Sequence, residues 1–143
     1  PFAGEMSGHL FFADRFYGFD DALYAGVRLL RLLVAGGESL ATLRDRIPAV
    51  VNTPELRFAC PEERKYALVA EVLARQKAKG AEVSDIDGAR VRSKPGWWLL
   101  RASNTQAVLV ARCEASDEAG LAALKRELVA ELKASGVAPP PGL

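Results

Sequence analysis

Ser84-Asp-Ile-Asp-Gly-Ala-Arg-Val-Arg-Ser93, Lys94-Pro95-Gly96 and Trp97-Trp-Leu-Leu-Arg101 run on without a break in this chain of 143 residues. Asp87-Gly88 and Pro95-Gly96 are turn signals, because glycine reaches positive φ freely and proline presets its own. The apolar residues between and after them predict three strands, over about 84–93, 97–101 and 107–114. On the N-terminal side Pro61 suits the first helical position, and Glu62 and Glu63 suit the positive end of the helix dipole. Tyr66, Val69 and Leu73, with Leu68 and Val72 beside them, form the expected buried face of a helix ending at Lys79-Gly80. On the C-terminal side Asp117 caps a helix carrying Leu121, Leu124, Leu128 and Leu132 at helical spacing. With a short strand at 55–59, the order is β-α-β-β-β-α. The fold class is therefore α+β, with helices packed on a small, mainly antiparallel sheet.

The first fifty residues follow another pattern. Residues 9–13 read as a strand, and Asp20-Asp21 offer an N-cap for a helix running to about Val34. Its apolar residues exceed a single stripe, so burial on more than one side is expected. Gly36-Gly37 ends it, and a short helix from Ser39 to Pro48 follows. These elements include no sheet large enough to cover the helices, which reads as an incomplete α/β segment. Pro1 opens the chain without Met, and the expectation is a segment that begins inside a larger protein. The predicted organisation is an N-terminal segment over 1–50, a hinge at 51–54 and a complete domain over 55–143.

Bulk composition narrows the function classes. Lysine and arginine number 19 against 18 aspartates and glutamates, so neither nucleic acid nor an anionic membrane is an expected partner. The 2 cysteines, Cys60 and Cys113, lack neighbours at metal-ligand spacing, and His9 is the 1 histidine. They read as reduced, partly buried thiols of a cytoplasmic protein, and no apolar run is long enough to span a bilayer.

Two polar stretches carry candidate chemistry. Gly4-Glu-Met-Ser-Gly-His9 spaces a carboxylate, a hydroxyl and an imidazole at alternate positions, which in extended backbone share one side. Glu5 can accept from two adjacent sugar hydroxyls, and Ser7 can donate or accept beside it. His9 can bind, shuttle a proton or orient a neighbour. The same residues also suit a surface hairpin with a capping Glu. Arg101-Ala-Ser-Asn-Thr105 clusters a guanidinium with the donors of Ser103, Asn104 and Thr105, a set that suits a phosphate dianion. Taken alone it reads first as an ordinary polar turn, in which Ser and Asn satisfy local backbone groups. Adjacent strand residues face opposite sides, so at least one of Trp97 and Trp98 is a packing residue. Asp87 and Arg90 either pair or shape the turn.

Gly4–His9 followed by Leu-Phe-Phe, then Phe16-Tyr-Gly-Phe-Asp-Asp21, resembles the third domain of the bacterial phosphomannomutase/phosphoglucomutase enzymes of the α-D-phosphohexomutase superfamily. Asp87-Gly-Ala-Arg-Val91, Gly96-Trp97 and Arg101–Thr105 resemble the fourth domain, in matching order. The resemblance implies an isomerase that interconverts 1-phospho- and 6-phospho-hexoses through a bisphosphorylated sugar. It assigns Glu5 and Ser7 to the sugar hydroxyls and His9 to proton transfer or positioning. Arg101, Ser103, Asn104 and Thr105 go to the phosphate. It also implies the enzyme's N-terminal domains as partners, a phosphoserine loop and Mg2+ held outside this segment, and an inactive segment when isolated. Met6 and Asn104 look more like the mannose/glucose-type enzymes than phosphoglucosamine mutases. Gln106-Ala107 departs from the family, which often has a short polar residue and a proline there. Trp98 stands where a small residue is common. The competing readings are a phosphoglucosamine mutase fragment and a non-catalytic phosphosugar-binding module.

Overall fold

A computed structural model describes residues 1–143, which divide into two compact units, Pro1–Pro48 and Ala49–Leu143.

In the first unit, β1 (Phe2–Gly4) and β2 (Leu10–Phe12) form an antiparallel hairpin that pairs Phe2 with Phe12. Helix α1 (Ala22–Gly36) starts where the Asp21 carboxylate accepts from the Tyr24 amide at 2.8 Å and ends at Gly37 in the left-handed conformation. Tyr24 stacks on Phe16 at 3.9 Å, and the Arg28 guanidinium lies 4.5 Å over the Phe12 ring and 3.0 Å from Asp14. These contacts tie the hairpin to the helix. Helix α2 (Leu40–Asp45) is capped by Ser39. The expected burial of α1 on several sides is not met: none of its residues is buried, and Leu23 and Val34 are each 84% exposed. Within this unit only a two-stranded hairpin and a six-residue helix are available to cover so broad an apolar surface.

The second unit is an antiparallel sheet with two helices. β3 (Val51–Asn52) and β4 (Leu56–Ala59) both pair with β8 (Val108–Ala115), followed across the sheet by β7 (Gly96–Ala102), β6 (Ala89–Ser93) and β5 (Glu82–Ser84). The pairing register shifts by one residue between Asn52 and Leu56, so β3 and β4 form one edge strand interrupted by a bulge at Pro54. Residues 51–54, expected as a hinge, are thus bound into the sheet. Thr53 is buried, its amide donates to the Cys113 carbonyl, and its hydroxyl accepts from the Cys113 amide at 3.0 Å. The expected strand over 84–93 is also corrected. It is a hairpin of β5 and β6 in which Ser84 pairs with Arg90, and Ile86, at 94% exposed, projects from the turn.

Helices α3 (Glu62–Ala78) and α4 (Glu118–Ala134) supply the core over one sheet face. Trp98, Leu100, Leu109, Ala111 and Cys113 meet Leu68, Val72, Leu124, Leu128 and Leu132 there, all essentially inaccessible. Trp98 is therefore the packing member of the tryptophan pair. Trp97, on the opposite face, donates to Glu114 at 3.1 Å and lies under the Arg90 guanidinium. The buried face of α3 runs through Lys65, Leu68, Val69, Val72 and Gln76, not through Tyr66, which is exposed. Pro61 occupies the cap position, one residue before the helix, with extended ψ. Glu131 of α4 is buried and bound by Arg75 at 2.7 Å, Gln76 at 2.8 Å and Lys79 at 2.5 Å. Burial alone would raise its carboxyl; the bonds from Lys79 and Arg75 outweigh that and hold it below its usual range.

Candidate functional site

The first candidate loop is the tip of the β1–β2 hairpin. Glu5 and His9 face each other across it: the Glu5 amide donates to the His9 carbonyl at 2.9 Å, and the Gly8 amide donates to the Glu5 carbonyl at 3.0 Å. Gly8 has φ +91°, the left-handed residue that closes a three-residue hairpin loop. The motif is a turn and not extended backbone, so the alternating spacing does not by itself align the three side chains. The turn brings two of them together, with Ser7 Oγ donating to Glu5 Oε2 at 2.9 Å. His9 engages a residue the motif does not contain. Its Nδ1 lies 2.5 Å from Asp20 Oδ2, and the backbones of Phe11 and Asp20 form a β-bridge that sets this approach. The hydrogen bond and charge of Asp20 raise the imidazole above its ordinary pKa of 6.5, and Glu5 adds to the effect. Nδ1–H donates to Asp20, which leaves Nε2 as the ring atom available to another group.

The second candidate loop joins β7 to β8. Arg101 ends the exposed side of β7, its side chain only 27% exposed, with Asp87 Oδ2 3.6 Å away and too far for a hydrogen bond. Asp87 thus faces Arg101 and not Arg90. The β5–β6 turn reaches this place because Gly88 has no side chain. It sits at φ +91°, and a Cβ there would fall 2.5 Å from the Leu100 carbonyl oxygen and 2.6 Å from Arg101 Cβ. Beyond Arg101, Ser103 is buried and its amide donates to the Val108 carbonyl, while Asn104 and Thr105 are exposed at the tip. The Val108 amide donates back to the Gln106 carbonyl at 2.8 Å, a tight turn centred on Ala107. Ala107 has negative φ, the geometry proline would fix, so the departure from proline changes stiffness more than shape.

The underside of this loop rests on the first turn of α3. Lys65 is fully buried, and its ammonium donates to the carbonyls of Ser103 at 2.6 Å and Gln106 at 3.0 Å and pairs with Glu62 at 2.6 Å. Tyr66 donates its hydroxyl to Asn104 Oδ1 at 3.3 Å, and the Cys60 amide donates to the Ala107 carbonyl. Sequence reasoning missed Lys65, Tyr66 and Asp20 at these loops. A lysine in a first helical turn reads as solvated, and nothing local links positions 9 and 20. Cys60 and Cys113 are free and buried, and burial pushes the Cys113 thiol up to about 11.

The family model described as phosphoglucomutase/phosphomannomutase, alpha/beta/alpha domain III, matches residues 1–50, and the model of the C-terminal domain matches residues 55–131. The chain belongs to the phosphoglucomutase/phosphomannomutase family. A phosphoglucomutase of Neisseria gonorrhoeae is 42% identical over 135 residues, covering 93% of this chain and 29% of that protein. A phosphomannomutase/phosphoglucomutase of Pseudomonas aeruginosa is 41% identical over 133 residues, covering 92% of this chain and 28% of that protein. A phosphoglucosamine mutase of Methanococcus maripaludis is 31% identical over 119 residues, covering 82% of this chain and 26% of that protein. Among solved structures, a phosphoglucomutase/phosphomannomutase family protein from Burkholderia thailandensis superposes with a TM-score of 0.81 at 43% identity, covering 100% of this chain and 29% of that one. The chain thus corresponds to a C-terminal part of these mutases and spans about 29% of the length of the first. No helix is long and apolar enough to cross a membrane.

Proposed function

We propose that the chain supplies the sugar-reading and phosphate-gripping loops of a phosphohexomutase that interconverts 1-phospho- and 6-phospho-hexoses of glucose and mannose. The observation that carries the reading is the Arg101–Thr105 loop: a half-buried Arg101 side chain followed by Ser103, Asn104 and Thr105, with the Ser103 carbonyl anchored by Lys65, within the matched C-terminal domain. Arg101 offers two parallel N–H groups to the phosphate, and the side chains of Asn104 and Thr105 offer neutral donors at the tip. This grip serves whichever phosphate of the bisphosphorylated intermediate is not reacting. Glu5, with Ser7 held against it, takes the sugar hydroxyls. Asp20 fixes the His9 ring, and Nε2 takes up or delivers a proton at a sugar hydroxyl or orients it.

Mg2+, which the reading implies, finds no home among these residues: no three His, Cys, Asp or Glu side chains gather to hold a metal. The ion would be held outside this chain, with the phosphoserine, and no step is routed through it here. The isolated chain is expected to be inactive. Higher identity to relatives named for glucose and mannose than to the phosphoglucosamine mutase favours the first substrate pair. Turnover of glucosamine 1-phosphate faster than of glucose 1-phosphate would reverse that choice.

The test is kinetic, in a complete enzyme containing this chain. Arg101→Ala should lower kcat/KM for glucose 1-phosphate by roughly 30- to 1,000-fold, the loss of a charge-assisted clamp worth about 2–4 kcal/mol. Glu5→Ala should lower it through the sugar, leaving competition by inorganic phosphate unchanged. Equal weakening of phosphate competition by both changes contradicts the assignment.

A further inference from the structure

Lys65 has no role in the reading above, yet it is the most unusual charged residue of the chain. Its side chain is 0% exposed, and burying an ammonium is costly unless its protons are satisfied. Here all three are used: Glu62 takes one, and the other two go to main-chain oxygens of the same loop, those of Ser103 and Gln106. Lys65 lies 38 residues from Ser103 in sequence, so this is a tertiary clamp and not a local turn.

The orientation of those oxygens matters for an anion. A trans peptide is planar, with its C=O and N–H on opposite sides, and the chain has no cis peptide. Drawing the Ser103 carbonyl inward to Lys65 therefore turns the Asn104 N–H outward. No hydrogen bond within the chain occupies that N–H. Turned the other way, the carbonyl oxygens of Ser103 and Gln106 would face and repel an incoming phosphate. The clamp removes two partial negative charges from the loop's outer side and adds an outward donor, while Glu62 balances the charge of the ammonium beneath.

We infer that Lys65 is the positioning residue of the phosphate loop, setting the Asn104 amide and the Arg101–Thr105 side chains for a phosphate dianion. The inference rests on the proposed reading of this loop as a phosphate site. Tyr66, bonded to Asn104 Oδ1, and the Cys60 amide, bonded to the Ala107 carbonyl, hold the loop from the same helix end.

The experiment is a titration of the 15N-labelled 143-residue chain with inorganic phosphate at constant ionic strength, read by NMR. In the wild type the Asn104 amide and the Arg101 guanidinium should shift together. In Lys65→Met the apparent dissociation constant should rise at least tenfold and the Asn104 response should vanish, with the dispersed signals of Leu68, Val72 and Leu100 retained. A merely structural lysine would lower Tm and leave the Asn104 response intact, and that result overturns the inference. Should Lys65→Met fail to fold, the wild type decides: the Lys65 ammonium signal must exchange slowly and move on phosphate addition, and a signal that stays put overturns it. Two failures are told apart by Arg101→Ala. If the wild type binds phosphate, Arg101→Ala abolishes binding and Lys65→Met does not, the clamp alone is wrong. If phosphate moves nothing in residues 101–105 of the wild type, the phosphate reading falls and the clamp with it.

Discussion

Gly88→Ala is the sharpest single perturbation of the second unit, because two separable penalties act at one atom. Gly88 adopts φ +91°, where an L-residue with a Cβ loses about 1–2 kcal/mol. The added methyl would also lie 2.5 Å from the Leu100 oxygen, 2.6 Å from Arg101 Cβ and 2.8 Å from Arg101 Cα. All three atoms are main chain or anchored directly to it, so no rotamer change relieves the contact, and overpacking of this kind costs about 1–3 kcal/mol. The total, about 2–5 kcal/mol, is a large share of a small domain's stability and corresponds to a Tm drop of roughly 10–30 °C. Gly136→Ala is the control. Its φ is +74°, but nothing lies within 4 Å of the added Cβ, so only the conformational penalty applies. Thermal unfolding followed by the fluorescence of Trp97 and Trp98 measures both variants. Equal Tm losses for the two would refute the packing of the β5–β6 turn on Arg101.

Three further outcomes follow from the geometry. The His9 imidazole should titrate above 6.5 by NMR, and Asp20→Asn should bring it back toward that value. Because pairing raises the folded-state pKa, its stabilisation is fully present below pH 6.5 and lost as pH rises through the raised midpoint; Asp20→Asn should flatten that dependence. Ala107→Pro should stabilise the second unit by about 0.4–1 kcal/mol, since the residue has negative φ and its amide has no partner in the chain, and a lowered Tm would contradict this. Cys113, its thiol pushed up to about 11 by burial, should resist iodoacetamide at pH 8 until the sheet unfolds, as mass spectrometry can establish.

Much of the second unit could be read from local chemistry. The leucines of α4 recur at helical spacing and Asp117 caps it, with the Gly120 amide on its carboxylate at 2.7 Å. Asp21 and Ser39 cap α1 and α2 as their residue types suggest. Where the sequence misled, tertiary context prevailed over local preference. Ile86 made 84–93 look like one strand, yet it projects into solvent from a hairpin turn. Pro54 looked like a connector, yet a bulge absorbs it and lets Thr53 rejoin the sheet through Cys113. Lys65 took the buried place expected for Tyr66, because two carbonyls 38 and 41 residues away supply the partners that make its burial tolerable. The site loops were legible in composition but not in shape. Gly8 turns the first into a hairpin tip, and the partner that sets the His9 ring lies 11 residues on.

The most direct measurement is a crystal structure of a complete enzyme containing this chain with glucose 1-phosphate bound in the distal-phosphate orientation. Phosphate oxygens are expected within hydrogen-bond distance of the Arg101 guanidinium and the Asn104 amide. A phosphate seated away from residues 101–105 would contradict this.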